Sequence, residues 1–327
     1  MVLRTLAGEV ETMRSRGFEV AAISSEVEAL AMEDWRARTV LGAQAKALRI
    51  IRARAPHDSR DFLQALEEAR PEAVIVDVLA TGALNAAASG KQAWSCYRPF
   101  PLPASRIALE LLGIAGPLAT TPLHLYMSAE PFERRRRDRL DGVVMVGPCA
   151  WEPPGQLPAA LAAVEEPLVL VTTSTDFQDD HRLVEAALAG LAEEPLHVVA
   201  TVPAENPSGF DVPGNATVLR FAPHSPILAR AACAITHAGM GATQKALAMG
   251  VPVCAVPFGR DQRAVARRVV AAAAGTRLAP SRLTPRRLRA KVGGAIACRP
   301  GAERVAMAFA AAGGAQLAAD AIEQRLL

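Results

Sequence analysis

Short runs of β-branched and apolar residues alternate along this chain with longer stretches in which Ala and Leu recur at helical spacing. That alternation predicts α/β layers on parallel sheets. In the first half, Leu3, Leu6, Val10 and Met13 share one helical face, Gly17 stops that helix, and Val20–Ile23 reads as a strand. A helix is expected over Phe62–Ala69, then a buried strand over Ala73–Val76 ending at Asp77, and another over Val143–Val146. Trp151 to Pro158 carries three prolines and one glycine, which forbids regular structure and marks a linker. Beyond it, strands are predicted at Leu168–Thr172, His197–Thr201, Thr217–Phe221, Cys233–Thr236 and Val253–Val256, with one or two helices closing the chain from Ala302.

The pattern divides the 327 residues into a first domain over 1–150, a linker over 151–166 and a second domain over 167–327. A doubly wound domain normally opens with its central strand, yet this pattern opens inside a helix. Losing that strand leaves two unpaired sheet edges in the core. The expectation is an N-terminal domain without its first strand, in a chain truncated at its start.

Composition narrows the class. Hydrophobic residues at 51% and charged ones at 21% exclude a disordered or collagen-like chain. Aromatics are only 4%, so Ala, Val and Leu must build the core. A net charge of +3 gives no field that predicts a nucleic-acid partner. Locally, twelve basic residues between Arg260 and Arg304 face only Asp261 and Glu303, which makes a solvated helical face or a surface for membrane or acidic ligands. Glu133 to Arg137 reads as another solvated face, or as a patch touching an acceptor or lipid. The five cysteines are scattered without a CxxC, so free thiols and no structural zinc are expected. The sequence has no signal-peptide pattern and no apolar run of 18 residues, so a soluble, cytoplasmic protein without a transmembrane segment is expected.

The chemistry concentrates in Cys233-Ala-Ile-Thr-His-Ala-Gly-Met-Gly-Ala-Thr243 and the stretch through Asp261-Gln262. It reads as a strand, a lean turn, a helix capped by Gly250, and a further strand ending before Asp261. Small residues let a ligand approach the backbone, and the free N–H groups of the helix start attract phosphate. His237, at the strand's carboxyl end, adds a donor. The structural alternative makes Gly239 and Gly241 simple turn residues and His237 a core residue. As a dinucleotide fingerprint, Gly239-Met-Gly241 with Asp261 about twenty residues on is incomplete, because the third glycine position holds Gln244.

A fuller match exists. Ala222-Pro-His-Ser-Pro-Ile-Leu, Thr-His-Ala-Gly-Met-Gly-Ala-Thr, Ala-Leu-Ala-Met-Gly-Val-Pro and Val-Pro-Phe-Gly-Arg-Asp-Gln together resemble the donor-binding signature of the UDP-glycosyltransferase-like family. This is glycosyltransferase family 1, the two-domain inverting group that glycosylates macrolides, glycopeptides and flavonoids. The resemblance continues through Leu283-Thr-Pro and Gly313-Gly-Ala-Gln-Leu to the end. It returns faintly in Met13-Arg-Ser-Arg-Gly-Phe-Glu-Val and Arg70-Pro-Glu-Ala-Val-Ile-Val-Asp77. It implies two Rossmann-like domains facing across a cleft, the GT-B fold. The donor would be a UDP- or dTDP-sugar and the acceptor a small hydrophobic alcohol or phenol, with no metal.

Residue by residue, the resemblance puts Phe221 under the nucleobase and His224 beside it. His237, Gly239, Gly241, Ala242 and Thr243 fall at the diphosphate, Ser174 in a loop lining it, and Asp261 and Gln262 at the sugar hydroxyls. Asp77 matches the carboxylate that orients a catalytic histidine in relatives. Three departures stand out. Lys245 occupies a position usually held by a ribose-gripping Glu, Gly241 and Ala242 replace a common Asn-Ser pair, and the strand that normally precedes the catalytic histidine is absent from the pattern. A non-catalytic nucleotide-sugar-binding or partner-activating relative is therefore the alternative function, with an NAD-dependent oxidoreductase third.

Other candidates carry less. Asp176, Asp179 and Asp180 sit where acids complement a helix start. His57, His124 and His181 are isolated. Trp94, Tyr97, Phe100 and Pro101 suit either an acceptor pocket or the core. No P-loop, HExxH or GxSxG occurs.

Overall fold

A computed structural model describes residues 1–37, 39–102, 106–133 and 140–327. The four arginines at 134–137 lie outside the described residues. The first domain holds strands β1 (Val2–Thr5), β2 (Glu19–Ala22), β3 (Ala73–Asp77), β4 (Ala93–Arg98), β5 (His124–Tyr126) and β6 (Val143–Met145). Its two main helices are α1 (Val40–Ala69) and α2 (Thr81–Ser89). Gly82 is the point where these helices touch, since a Cβ there would lie 1.7 Å from the Ala55 carbonyl oxygen.

The second domain follows the linker with β7 (Leu168–Thr172), β8 (His197–Thr201), β9 (Ala216–Leu219), β10 (Ala231–Thr236), β11 (Val253–Ala255) and β12 (Gly275–Arg277). Between and after them run α3 (Arg182–Leu191), α4 (Met240–Ala248), α5 (Gln262–Ala271), α6 (Pro285–Ile296), α7 (Arg299–Ala311) and α8 (Gly314–Leu326). All strand pairs are parallel. The six strands form one sheet in the order β12-β11-β10-β7-β8-β9. The order reverses between β10 and β7, and at such a switch point the loops leaving the carboxyl ends part and open a crevice. Apolar side chains fill both faces, with Leu168, Leu170 and Val253 on one and Val169, Val171 and Leu183 on the other.

The first domain corrects the pattern in one respect. Leu3 lies in strand β1, not in a helix, and the following helix is only Val10–Arg14 before Gly17 turns the chain at φ 89°. Strand β1 pairs with β2 in a separate two-stranded sheet, while β3-β4-β5-β6 form their own. Strand β3 is hydrogen-bonded to β4 alone among the described residues, and its Ile75 side chain remains 53% exposed. The expected helix at Phe62–Ala69 is the end of the thirty-residue α1.

The domains meet across a cleft through specific contacts. Arg268 of α5 donates two hydrogen bonds to Glu133, at 2.6 and 2.8 Å, and Tyr126 Oη donates a third at 2.5 Å. Gln244 donates to the Met127 carbonyl. Phe132 packs edge-on against Phe309 at 5.8 Å, and Trp35 against Phe177 at 4.9 Å. The stretch Arg299–Leu326 has the length and mean hydropathy, 1.4, of a membrane span. It is broken into α7 and α8 at Gly313 and Gly314, and α8 lays Ala321 and Leu317 against Leu123 and Leu125 of the first domain.

Candidate functional site

The crevice at the β10/β7 switch point is lined by two loops. After β10, Thr236 Oγ1 accepts a hydrogen bond from the Ala238 N–H at 2.9 Å, and Ala238 takes φ 65° to turn the chain into α4. Gly239 is its N-cap, and the first intrahelical bond runs from Thr243 N–H to Gly239 C=O. The N–H groups of Met240, Gly241 and Ala242 are therefore left for a ligand. A Cβ at Gly239 would lie 2.2 Å from His237 Nε2, so this glycine is needed for the imidazole to stand over the helix start. A Cβ at Gly241 would meet nothing within 4 Å, so the space there is open.

His237 is 9% exposed. Burial holds its ring below the ordinary histidine range, with the Asp180 carboxylate and Thr172 carbonyl opposing and Arg260 adding to the effect. From the loop after β7, the Ser174 N–H donates to Asp180 Oδ2 at 2.8 Å, and Gln178 donates to Ser174 Oγ at 2.5 Å. That same Asp180 oxygen lies 3.9 Å from His237 Nδ1. The acidic run does not cap α3 through its side chains. Asp176 instead pairs with Arg260 at 2.9 Å, Asp179 lies 3.3 Å from His181, and Asp180 turns inward.

Beyond β9, Phe221 presents an open ring, 66% exposed. His224 Nε2 shares a 3.0 Å hydrogen bond with Thr201 Oγ1. Burial, and then the Lys245 cation, push its pKa down to about 4. The linker reaches into this corner. Glu152 accepts from the N–H groups of His224 and Ser225, from Ser225 Oγ and from Lys245 Nζ, all between 2.6 and 2.9 Å. Although burial acts to raise it, these bonds hold its pKa at about 2. Lys245, the cation in a glutamate's usual position, thus has a carboxylate from the linker beside it.

Some expected contacts are turned elsewhere. The Thr243 side chain is fully buried, and its Oγ1 has no hydrogen-bond partner. Gln262 is 2% exposed; its Oε1 accepts from Phe258 and Gly259 N–H groups and its Nε2 donates to Gln178, so its amide holds loops together instead of reaching into the crevice. Asp261 stands at the N-cap position of α5 without a side-chain cap bond, and burial raises its pKa against the pull of Arg260 and Arg268. Asp77 ends β3 and accepts the Leu79 N–H at 2.7 Å, and desolvation by the protein around it raises its pKa. Trp94 is core, and Tyr97 and Phe100 pack against core clusters. His124 is also core, its Nε2 3.0 Å from the Leu118 carbonyl.

Sequence reasoning missed Asp180 as a site residue, along with Glu152 and the Arg260–Asp34 pair at 2.9 Å that joins the domains beside the crevice. Only the acidic run gave any signal, and it did not say which acid turns inward.

Two facing parallel α/β domains, with a phosphate-type crevice at the second domain's switch point, define the GT-B class. Residues 185–323 match the family described as erythromycin biosynthesis protein CIII-like, C-terminal domain. The chain is 34% identical over 180 residues to 4'-demethylrebeccamycin synthase of Lentzea aerocolonigenes, covering 54% of this chain and 42% of that one. It is 27% identical over 217 residues to demethyllactenocin mycarosyltransferase of Streptomyces fradiae, 64% of this chain and 45% of the relative. The matched stretches thus span less than half the length of these curated relatives. The fold is shared with the solved glycosyltransferase VinC in complex with dTDP, at TM-score 0.75 and 19% identity over 99% of this chain and 92% of that one. Most of the second domain thus matches the EryCIII-like C-terminal family, and the whole chain shares the GT-B fold.

Proposed function

We propose that the chain transfers a sugar from a UDP- or dTDP-sugar to a hydroxyl of a small hydrophobic alcohol or phenol, with inversion. The observation that carries this reading is His237, standing over the open N-terminus of α4 at the switch point. In this reading the nucleobase stacks on Phe221, the diphosphate lies on the N–H groups of Met240, Gly241 and Ala242, and Asp261 meets the sugar hydroxyls. The acceptor oxygen attacks the anomeric carbon as a general base on the acceptor side takes its proton, and the bond to the diphosphate breaks on the opposite face. The negative charge on the leaving group is met by His237 and the helix start, so no metal enters the step. Asp77, its pKa raised by desolvation, is the carboxylate assigned to the acceptor side. The curated mycarosyltransferase relative and the dTDP complex of VinC support the reading by their likeness.

Thermal shifts with UDP, dTDP, GDP and NAD, on the wild type and on His237→Ala, test it. A ligand at a hundred times its dissociation constant adds about 2.7 kcal/mol. Stabilisation by UDP or dTDP that the variant loses supports the donor site, and stabilisation by NAD alone replaces it with an oxidoreductase. A second reading, a nucleotide-sugar-binding relative without transferase activity, is favoured by the Asp77 carboxylate turning to its own loop. Nucleotide binding without sugar transfer or donor hydrolysis would select it.

A further inference from the structure

His237 has one ring nitrogen over the helix start and one facing the protein. The inner nitrogen, Nδ1, is buried and makes no hydrogen bond of ordinary geometry, although the Thr172 carbonyl also faces the ring. It looks onto Asp180 Oδ2 at 3.9 Å, about 1 Å beyond a hydrogen bond. Asp180 is itself 2% exposed and anchored by the Ser174 N–H, so its carboxylate has little freedom to point elsewhere. The charged groups facing the ring are Asp180 and Arg260, and Arg260 is already held by Asp34 and Asp176. An orphaned buried nitrogen beside an anchored buried carboxylate is an arrangement waiting for a proton.

We propose that Asp180 is the positioning residue for His237: when a diphosphate arrives, Asp180 accepts the Nδ1–H of a doubly protonated ring, whose Nε2–H is directed at a phosphate oxygen. This rests on the donor site proposed above. In the empty site burial keeps the imidazole neutral near pH 7. The diphosphate brings a second anion to the ring's other side, and the imidazole takes one proton from solvent. The ring closes the short gap to Asp180, which fixes the direction of Nε2. The cation so formed then faces the charge that builds on the diphosphate as the glycosidic bond breaks.

The test is calorimetric titration with dTDP-glucose and UDP-glucose at pH 7.5, in two buffers of different ionisation enthalpy. A sugar diphosphate diester has no titrating phosphate in this range, so a proton gained belongs to the protein. The wild type is expected to take up about one proton per ligand bound, and His237→Ala none. Asp180→Asn keeps an oxygen for the Ser174 N–H but loses the charge. It is expected to abolish the uptake and weaken sugar-nucleotide binding about tenfold, near 1.4 kcal/mol, while thymidine or uridine binds as before. Asp180→Glu should restore part of the uptake, which a purely structural role would not do. Binding by the wild type without proton uptake overturns the proposal whether or not the variants fold, as does an Asn variant that retains the uptake. If neither sugar nucleotide nor nucleoside binds the wild type, the donor-site reading itself fails and this proposal falls with it.

Discussion

The two sheets of this molecule differ in what their first strands do. In the second domain β7 is central, with β10 on one side and β8 on the other, so every residue from Leu168 to Thr172 is buried. Among the described residues of the first domain β3 has a neighbour on one side only, the β1–β2 pair stands apart, and Ile75 faces solvent. Apolar strand sequence of the same kind is thus core in one half and edge in the other. The consequence is functional as well as structural. The half with the six-stranded sheet owns a switch point and carries the crevice proposed for the nucleotide, whereas Asp77 sits at the end of an edge strand. The first domain draws its order instead from α1, from α8 and from ion pairs across the cleft.

The largest effect that would sharpen this contrast is a matched pair of truncations. Leu183→Ala removes a fully buried side chain from under the six-stranded sheet and should cost about 4 kcal/mol in denaturant unfolding. Ile75→Ala, on the exposed edge, should cost less than about 0.5 kcal/mol. Equal losses would mean that β3 is covered in solution.

Next comes the contact that holds the halves together. Glu133→Ala leaves the Arg268 guanidinium, 19% exposed, and the Tyr126 hydroxyl without their shared acceptor. Because removing one partner strands the other, a loss of about 3 kcal/mol is expected, with the two domains unfolding as separate transitions. A single unshifted transition would show that the cleft is held elsewhere.

Acid should act on the first domain through His124. Burial, aided by the Arg98 cation, lowers its folded pKa to about 4 from an ordinary value of 6.5. Protonation therefore favours the unfolded chain, so this contribution is present above pH 6.5, falls between 6.5 and 4, and is flat below. The loss is on the order of 3 kcal/mol at most, and less where the domain relaxes. Following unfolding free energy against pH in His124→Gln, which does not titrate, should show that slope reduced.

How much of this was legible in the sequence follows the same division. Leu168–Thr172 and His197–Thr201 are short runs rich in Val with Thr at the end, and both strands lie where the pattern puts them. Strand β4 was invisible because Trp94-Ser-Cys-Tyr-Arg98 mixes polar and apolar positions on two covered faces. Strand β1 was misread because Leu3, Leu6, Val10 and Met13 happen to fit a 3.6-residue period, and pairing with β2 outweighs that spacing. At the site, His237 and Gly239 were legible from the strand–turn–helix grammar. Asp180 was not, because only the Ser174 N–H decides which of three acids turns inward. Gln262 was assigned by likeness, and local packing gave its amide other partners.

The smallest expected effect asks which half the linker belongs to. Glu152 lies in a segment that sequence places between the domains, yet all four of its hydrogen bonds go to the second domain, at His224, Ser225 and Lys245. Glu152→Gln keeps oxygen acceptance for one backbone N–H and loses the ion pair with Lys245. The pair is partly open to water, so screening limits the change to about 1 kcal/mol. The loss should fall on the transition of the second domain alone, and, since the carboxyl pKa is about 2 when folded against 4.5 ordinarily, it should be unchanged from pH 8 down to about pH 5.5 and shrink below that. A shift in the first domain's transition instead would move the boundary between the halves, and with it the view that the donor half is complete by itself.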